Sequence, residues 1–406
     1  MLQAFWPGSR AERALIIATL ASSFGFAAFA TASGLFFVRF IDLTPNLVGI
    51  GLAVAGVVGL GSPLLFGRLS DVLDVRTLAL WLFVFEAALV ACYAFTSTSW
   101  MFIVVVTAVT FVDRGTWVAR SVLTVRVVAA EQRVRFRAQQ QVVFNAGAAG
   151  GSLTAAVPLQ LDTRAGYLGL LALYVLCYAV AALCLAAIPP AGGPQQARPQ
   201  GWQALRDPAY IASALLSGLL LLHHSLLIIA VPLWVARSTD APTFTVGLLI
   251  ALNTVIAVLL QVRLSAGSET TLGAAKAGRS GAFVLVPACI LLGLAGFGNT
   301  LWAVTTLAAG VVLLTLGELW TVSSRWGLGY ALAPDALMGE YQGIYNLGTS
   351  VEGVLGPLIA TYIVVGWGFS GWLVVAGIFL ALGLLVGPTT RWGERTRTEP
   401  DVARLA

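Results

Sequence analysis

The stretch DRGTWVAR (residues 113–120) lies inside a long apolar segment, and a second apolar segment near the other end of the chain carries ELWTVSSR (318–325). Both have an acidic residue, a threonine three positions later and an arginine four positions after that. Two further pairs recur in the same order at similar offsets: RFIDLTPNLVG (39–49) with RSTDAPTFTVG (237–247), and QVVFNAG (141–147) with QGIYNLG (342–348). Three ordered matches indicate an internal duplication.

The composition around these segments indicates an integral membrane protein. Of 406 residues, 58% are hydrophobic and only 10% are charged, whereas soluble domains are nearer half apolar and a quarter charged. This excludes a soluble globular protein, a disordered chain and a nucleic-acid-binding domain. About 20 apolar residues cross a bilayer as a helix, and we count twelve such helices between residues 14 and 388.

The basic residues predict the orientation. If the N-terminus is cytoplasmic, seventeen arginines and lysines fall on the cytoplasmic side and three outside, as the positive-inside rule requires. Both termini are then cytoplasmic, and the net charge of +5 needs no nucleic acid. The longest polar interruption, 189–207, is rich in Pro, Gly and Gln. We predict six-helix bundles at 1–188 and 208–388, a cytoplasmic linker at 189–207 and a cytoplasmic tail at 389–406.

The loop after the second predicted helix reads GRLSDVLDVR (67–76). It resembles the pattern G-x-L-x-D-R-x-G-R-R/K of the major facilitator superfamily, which Gly67, Leu69, Asp71 and Arg76 match, while 72, 74 and 75 depart from it. The chain is most similar to bacterial drug and metabolite efflux members of the proton-antiporter type. The resemblance implies an all-α membrane fold of twelve helices in two pseudo-symmetric six-helix bundles, a bacterial cytoplasmic membrane location and a monomer.

Charged residues deep in a membrane are costly and therefore functional candidates. Asp113 and Arg120 are seven positions apart and share one helix face, as do Glu318 and Arg325. In the architecture that the resemblance implies, Glu318 faces helix four across the pseudo-two-fold axis, and helices one, four, seven and ten line the cavity. We predict Glu318 and Asp113 as the proton-coupling carboxylates. The alternative is that each forms a permanent ion pair with Arg114, Arg120 or Arg325.

Two further groups could take part in proton coupling. His223 and His224 lie in the middle of helix seven, and histidine titrates near neutrality; at most one of them faces the cavity squarely. Glu352 in helix eleven occupies a position whose counterpart in the first half is uncharged. We predict His223 and Glu352 as additional proton-coupling residues. The alternative for the histidine is a structural hydrogen bond to a neighbouring helix, and the alternative for Glu352 is a gate contact. Glu86 in helix three is expected to form a structural pair with an arginine of helix four.

The candidate substrate-binding residues are cationic, aromatic or imidazole side chains of the cavity helices. Arginines attract anions, and aromatic rings stack on flat organic molecules or cations. These candidates are Arg114, Arg120, Trp117, His224, Trp320 and Arg325. A set dominated by arginines would favour an anionic substrate.

The candidate gate residues lie at helix ends. We expect Asp71 to cap a facing helix end and to lock one conformation, together with Gly67 and Arg76. Pairs at the outer ends of helices one and seven complete the set: Arg39 with Asp42, and Arg237 with Asp240.

These observations predict a secondary active transporter that exports an amphipathic organic compound in exchange for protons. The alternative is a proton-coupled importer of a small, possibly anionic, nutrient. No HExxH, GxSxG or P-loop pattern is present, so we expect no enzymatic activity. The four cysteines lie in apolar runs without CxxC spacing, and we expect no metal and no cofactor, with the proton gradient as the energy source.

Overall fold

The computed structural model describes residues 8–189 and 202–398. This part of the chain holds twelve helices long and apolar enough to cross a membrane, so the predicted all-α membrane architecture is confirmed. The helices are α1 (Arg10–Phe40), α2 (Asn46–Val72), α3 (Val75–Phe95), α4 (Ser99–Val127), α5 (Ala130–Leu161), α6 (Arg164–Ala186), α7 (Pro208–Ser238), α8 (Thr245–Leu264), α9 (Thr271–Phe297), α10 (Thr300–Ala331), α11 (Asp335–Val365) and α12 (Phe369–Arg397).

Short polar side chains begin many of these helices. A helix start leaves backbone N–H groups without partners inside the helix, and a side-chain oxygen can accept from one of them. Ser9 and Glu12 form a reciprocal capping box at the start of α1. Asp74, Asp207 and Asn299 accept backbone N–H groups at the starts of α3, α7 and α10. These caps define where α1, α3, α7 and α10 begin.

The chain divides into two compact units, of which the first comprises residues 1–201 and 334–343. Within it α1 packs against α5 and α6, α3 packs against α4 and α6, and α2 packs against α4. A cluster of aromatic rings fills the core at one end of α1. Phe37 lies 5.1 Å from Tyr93 and 4.8 Å from Phe102 between ring centroids.

The second unit comprises residues 202–333 and 344–406. Here α9 packs against α10 and α12, α8 packs against α10, and α7 packs against α12. The indole N–H of Trp234 donates to the carbonyl of Leu292 at 2.9 Å, and its ring meets Trp372 edge-on at 6.1 Å. A buried indole needs such an acceptor, so this bond fixes α7 on α9.

Two helices of the second unit change their winding. Residues 226–230 of α7 and 359–365 of α11 are π-helical, and these segments pack against each other. The predicted boundaries after residue 188 have two different outcomes. The last helix runs on through residues 389–397, where we expected a tail, and residues 190–201 of the predicted linker lie outside the described part of the chain.

Candidate functional site

A buried acidic group lies at the centre of the first unit. Glu86, in the middle of α3, is fully buried. Its carboxylate accepts from the Thr116 hydroxyl at 2.9 Å and from the Tyr174 hydroxyl at 3.2 Å. The expected pair with a helix-four arginine is therefore wrong, since hydroxyl groups of α4 and α6 occupy both carboxylate oxygens.

Asp113 lies beside Glu86, one helix away. Thr116, one helical turn after Asp113, bonds to Glu86 and lines the same cavity as Asp113, and the two carboxyl groups are close enough to interact electrostatically. Asp113 is half-buried and lines a cavity of about 80 Å³, which is room for several water molecules. The walls of this cavity are Ser22, Ser23, Phe26, Asp113, Thr116, Trp117, Arg120, Phe144 and Tyr178.

Arg120 supplies the positive charge of this cavity. Its side chain is buried and donates to the hydroxyls of Thr19 at 2.7 Å and Ser22 at 3.4 Å, both on α1. The guanidinium lies 5.3 Å from the ring centroid of Trp117. Within the described residues Arg120 takes part in no ion pair, so the alternative of a permanent Asp113–Arg120 pair is not what the structure shows. We call Glu86, Asp113 and Arg120 the charged cluster.

Arg114 points in a different direction. It donates to the carbonyl of Gly56 at 3.3 Å, and its guanidinium packs against Gly59 of α2. It does not belong to the lining of the cavity beside Asp113. Adjacent residues of a helix point about 100° apart, which is why Asp113 meets the cavity while Arg114 contacts α2. The structure thus gives Arg114 a packing contact where we expected a substrate-binding group.

Glu318 contacts a helix that we did not expect. Its carboxylate accepts from the amide of Asn253 on α8 at 2.9 Å, and the same amide donates to Thr315. His224 is close enough to interact with Glu318 electrostatically. Within its own unit Glu318 is thus tied to α8, a contact that the sequence did not predict. Trp320 lies two residues further along α10 and is half-buried.

The two histidines of α7 differ in burial. His223 is 2% exposed, and neither ring nitrogen has a hydrogen-bond partner among the described residues. His224 is exposed. The histidines precede the π-helical segment of α7, and π-helical turns are frequent at functional sites.

Glu352 and Arg325 each join two helices of the second unit. Glu352 accepts from the Ser225 hydroxyl at 2.6 Å and so links α11 to α7. Arg325 donates to the Thr349 hydroxyl at 2.7 Å and lies 5.7 Å from the ring centroid of Tyr345, which links α10 to α11. The alternative of an ion pair between Glu318 and Arg325 is absent from the described residues, where Glu318 bonds to Asn253.

Asp71 and Gly67 meet the start of α11 within the first unit. The Asp71 carboxylate accepts the backbone N–H groups of Gly339 and Glu340, each at 2.7 Å. An anion at a helix N-terminus satisfies free donors and complements the helix dipole. A Cβ on Gly67 would lie 2.4 Å from the Gly339 carbonyl oxygen, so only glycine permits this approach.

The other predicted gate residues have separate partners. Arg76 donates to the carbonyls of Leu185, at 3.1 Å, and Ala186 at the end of α6, and so does not join Asp71. Arg39 pairs with Asp162, in the turn between α5 and α6, and not with Asp42. Asp42 has a left-handed backbone with φ of 62°, a conformation that aspartate adopts more readily than most residues.

The second predicted pair, at the end of α7, is solvent-exposed. Both Arg237 and Asp240 are exposed, and no ion pair joins them in the described part of the chain. The backbone carbonyl of Asp240 accepts from the Thr300 hydroxyl at 3.2 Å. This bond ties the turn after α7 to the start of α10.

Sequence reasoning missed the role of Glu86 and its hydroxyl partners. The available signal was the charge itself, since Glu86 is the only acidic residue in the apolar sequence of α3. Thr116 belongs to the repeated helix-four pattern but was not assigned a function. Tyr174 carried no recognisable signal, because tyrosines in membrane helices are common packing residues.

Comparisons with known proteins agree with this architecture. The profile of the Major Facilitator Superfamily matches residues 15–351. A bacterial homologue of the iron transporter ferroportin, solved in an outward-facing state, is 15% identical with a TM-score of 0.77 over 95% of this chain and 100% of that one. The human organic anion transporter MFSD10 (TETRAN) is 15% identical, with a TM-score of 0.69 over 93% and 99% of the two chains.

A third similar structure is the proton:xylose symporter XylE bound to 6-bromo-6-deoxy-D-glucose, at 12% identity and a TM-score of 0.68 over 93% of this chain and 95% of that one. A comparison with curated protein sequences found no match. At these identities the solved structures establish the fold, and the sequence profile establishes the family. The chain is a multi-pass membrane transporter, not an enzyme, and it belongs to the major facilitator superfamily.

Proposed function

We propose that this transporter exports an amphipathic organic compound in exchange for protons, by alternating access across the bacterial cytoplasmic membrane. The observation that carries the proposal is the charged cluster: Asp113 and Arg120 line one cavity together with aromatic rings. A carboxyl group in such a cavity can be neutral or charged, and the cavity has different affinities for an organic molecule in the two states. The proton gradient is then the energy source.

A cavity of about 80 Å³ holds water molecules, whereas organic ligands occupy sites of about 300–1,000 Å³, so we propose that the cavity widens during transport and that its aromatic walls then contact the ligand. Trp117 and Phe144 meet edge-on at 5.4 Å, and Phe26 and Tyr178 complete the apolar lining. Binding sites for small organic molecules are mostly apolar, with a few polar groups that fix orientation. The cavity offers few polar groups beyond the charged cluster and the serines of α1, whereas a sugar would need many hydrogen-bonding partners.

The second candidate is transport of an organic anion, either by symport or by exchange, and Arg120 favours it. Its guanidinium bonds to neutral hydroxyls and forms no ion pair within the described residues. If Asp113 is protonated, Arg120 is the uncompensated charge of the cavity, and a carboxylate or sulfonate would be attracted to it. The charge of the substrate therefore separates the two candidates.

We also propose roles for the other site residues that the sequence predicts. We retain Glu318, Glu352 and His223 as additional proton-coupling candidates, because each is a titratable group inside a membrane helix. The substrate-binding candidates that remain are Arg120, Trp117, His224, Trp320 and Arg325. For Asp71 and Gly67 we propose a lock at the start of α11 that opens during transport. Cytoplasmic termini and a monomeric state are part of the same proposal.

The test is gradient-driven transport in proteoliposomes. A pH gradient is imposed, and uptake of lipophilic cationic dyes and of fluorescent organic anions is compared for the native protein and Asp113→Asn. Glu131→Gln is the matched control, because it makes the same carboxylate-to-amide change at an exposed turn. We expect gradient-driven movement of a dye by the native protein and the control, and its loss in Asp113→Asn.

The results separate the candidates. Movement of cations alone supports the exporter, whereas movement of anions alone, with loss in Arg120→Gln, supports the second candidate. If transport by Asp113→Asn responds to the pH gradient as native transport does, proton coupling through this residue is wrong.

A further inference from the structure

Glu86 is a buried acidic group to which the proposed transport cycle assigns no step. It is 0% exposed, and no arginine forms an ion pair with it within the described residues. An ionised carboxylate without a cation is costly to bury. Two hydroxyls and the neighbouring carboxyl of Asp113 form its polar surroundings. These surroundings suit a carboxyl group that carries or shares a proton.

The hydroxyl of Thr116 can adapt to either state of Glu86. Its oxygen lies 2.9 Å from the Glu86 carboxylate and 3.0 Å from the carbonyl of Val112. A hydroxyl has one hydrogen and two lone pairs. It can therefore donate to an ionised Glu86, or donate to Val112 and accept a hydrogen bond from a neutral Glu86.

The charged and titratable groups around the two carboxyls come from three helices besides α3. From α4 come Arg114 and Arg120, from α6 Tyr174 and Tyr178, and from α5 Arg137, which acts on Arg120 electrostatically. The residues of α1 that face the cavity, Ser22 and Ser23, are uncharged. Two carboxylates side by side cannot both ionise without a large repulsion, and they titrate as a pair.

We propose that Glu86 and Asp113 form a proton-sharing carboxyl pair. Asp113 exchanges protons with water in the cavity, and Glu86, which does not line the cavity, shares the proton with Asp113. This inference rests on the proposed function for its place in transport. The pair itself follows from Thr116, which bonds to Glu86 and lines the same cavity as Asp113, and from the complete burial of Glu86.

The proton steps balance without any other reactant. In the singly protonated pair, the O–H of one carboxyl donates to the carboxylate of the other, and the pair carries one negative charge opposite Arg120. A proton from water in the cavity then adds to the remaining carboxylate oxygen of Asp113 and leaves two neutral carboxyl groups. Release of this proton reverses the step. Each cycle changes the net charge of the cluster by one, which is how the pair would act on a charged substrate.

Infrared difference spectroscopy tests the pair directly. The purified protein in lipid is titrated with pH in H₂O and D₂O, and the C=O stretch of protonated carboxyl groups is followed. We expect a pH-dependent band that is sensitive to deuterium and is lost in both Glu86→Gln and Asp113→Asn, because a shared proton needs both partners. Glu131→Gln should keep the band. If Glu86→Gln leaves the band of Asp113 and its pH midpoint unchanged, the two groups do not share a proton.

A milder substitution guards against loss of folding. Thr116→Val keeps both carboxyl groups and removes one hydroxyl contact to Glu86. We expect the band to remain and to shift in frequency, whereas an unshifted band in this variant would show that the protonated group is not the one at Glu86.

Transport by the same variants separates the two proposals. If the shared band is present but a pH gradient drives no transport, the proposed function fails and the pair stands. If transport is proton-driven while Glu86→Gln leaves the band unchanged, the pair fails and the proposed function stands.

Discussion

Replacing Asp71 with asparagine should release the start of α11. The carboxylate accepts two backbone N–H groups at 2.7 Å each, from Gly339 and Glu340, and the side chain is 5% exposed. The two N–H groups bond to different carboxylate oxygens, so asparagine keeps the shape and one acceptor but loses the charge and the second acceptor. The substitution therefore tests the carboxylate and not the presence of a side chain.

The magnitude follows from the two bonds. A hydrogen bond to a charged group contributes about 1.5–3 kcal/mol and a neutral one about 0.5–1.5 kcal/mol, so asparagine weakens the bond that it keeps by about 1 kcal/mol and loses the other, worth about 1.5–3 kcal/mol. The interaction of the anion with the helix N-terminus adds about 0.5–1 kcal/mol. The sum is about 3–5 kcal/mol, which corresponds to roughly a 150- to 4,500-fold change in the population of the uncapped state.

The assay is hydrogen exchange measured by mass spectrometry on peptides that cover residues 335–345. The amide hydrogens of Gly339 and Glu340 exchange only when the cap opens, so their rate reports the opening free energy. We expect exchange in Asp71→Asn to rise by at least about 100-fold. Asp74→Asn is the matched control, because Asp74 caps α3 through Thr77 and has no bond to α11. If both variants leave exchange at 335–345 within about threefold of native, corresponding to less than about 0.7 kcal/mol, the charge does not hold this helix start.

Three further predictions concern packing, the cavity cation and the α8–α10 contact. Gly67→Val places a Cβ 2.4 Å from the Gly339 carbonyl oxygen. We expect the free energy of unfolding to fall by about 1–3 kcal/mol, measured as a lower Tm in detergent. An unchanged Tm would show that the two backbones can separate without cost. Arg120→Lys keeps the charge but loses the planar donors to the two hydroxyls of α1, and we expect about a tenfold higher KM for an anionic substrate; an unchanged KM would remove Arg120 from the binding site. Asn253→Ala removes the amide that donates to Glu318 at 2.9 Å. We expect the free energy of unfolding, measured by thermal denaturation, to fall by about 1–3 kcal/mol. An unchanged free energy would mean that water replaces the amide fully.

The sequence predicts the membrane architecture well because the signal is physical and strong. A bilayer forces each span to satisfy its own backbone hydrogen bonds, so long apolar segments become helices. The duplication between 113–120 and 318–325 predicts two related halves, and the superfamily profile over residues 15–351 confirms the family. The loop pattern at 67–76 identified Asp71 and Gly67, which the structure places at the start of α11.

The partners of the charged side chains could not be predicted in the same way. Helical periodicity tells which residues share a face, but not which neighbouring helix that face meets. Glu318 bonds to Asn253 of α8, and Arg114 bonds to Gly56 of α2, because bundle packing brings these helices together. From its charge alone we predicted that Glu86 forms an ion pair with an arginine, whereas hydroxyl groups of Thr116 and Tyr174 donate to it.

The most direct test of proton-coupled transport through Asp113 is the proton movement that the substrate itself drives. Proteoliposomes without a pH gradient carry a pH indicator in the lumen, a transported compound is added outside, and the native protein is compared with Asp113→Asn and Glu131→Gln. We predict that the compound changes the lumenal pH through the native protein and the control, and that Asp113→Asn abolishes this change while still binding the compound. A lumenal pH change of native size through Asp113→Asn would contradict the account.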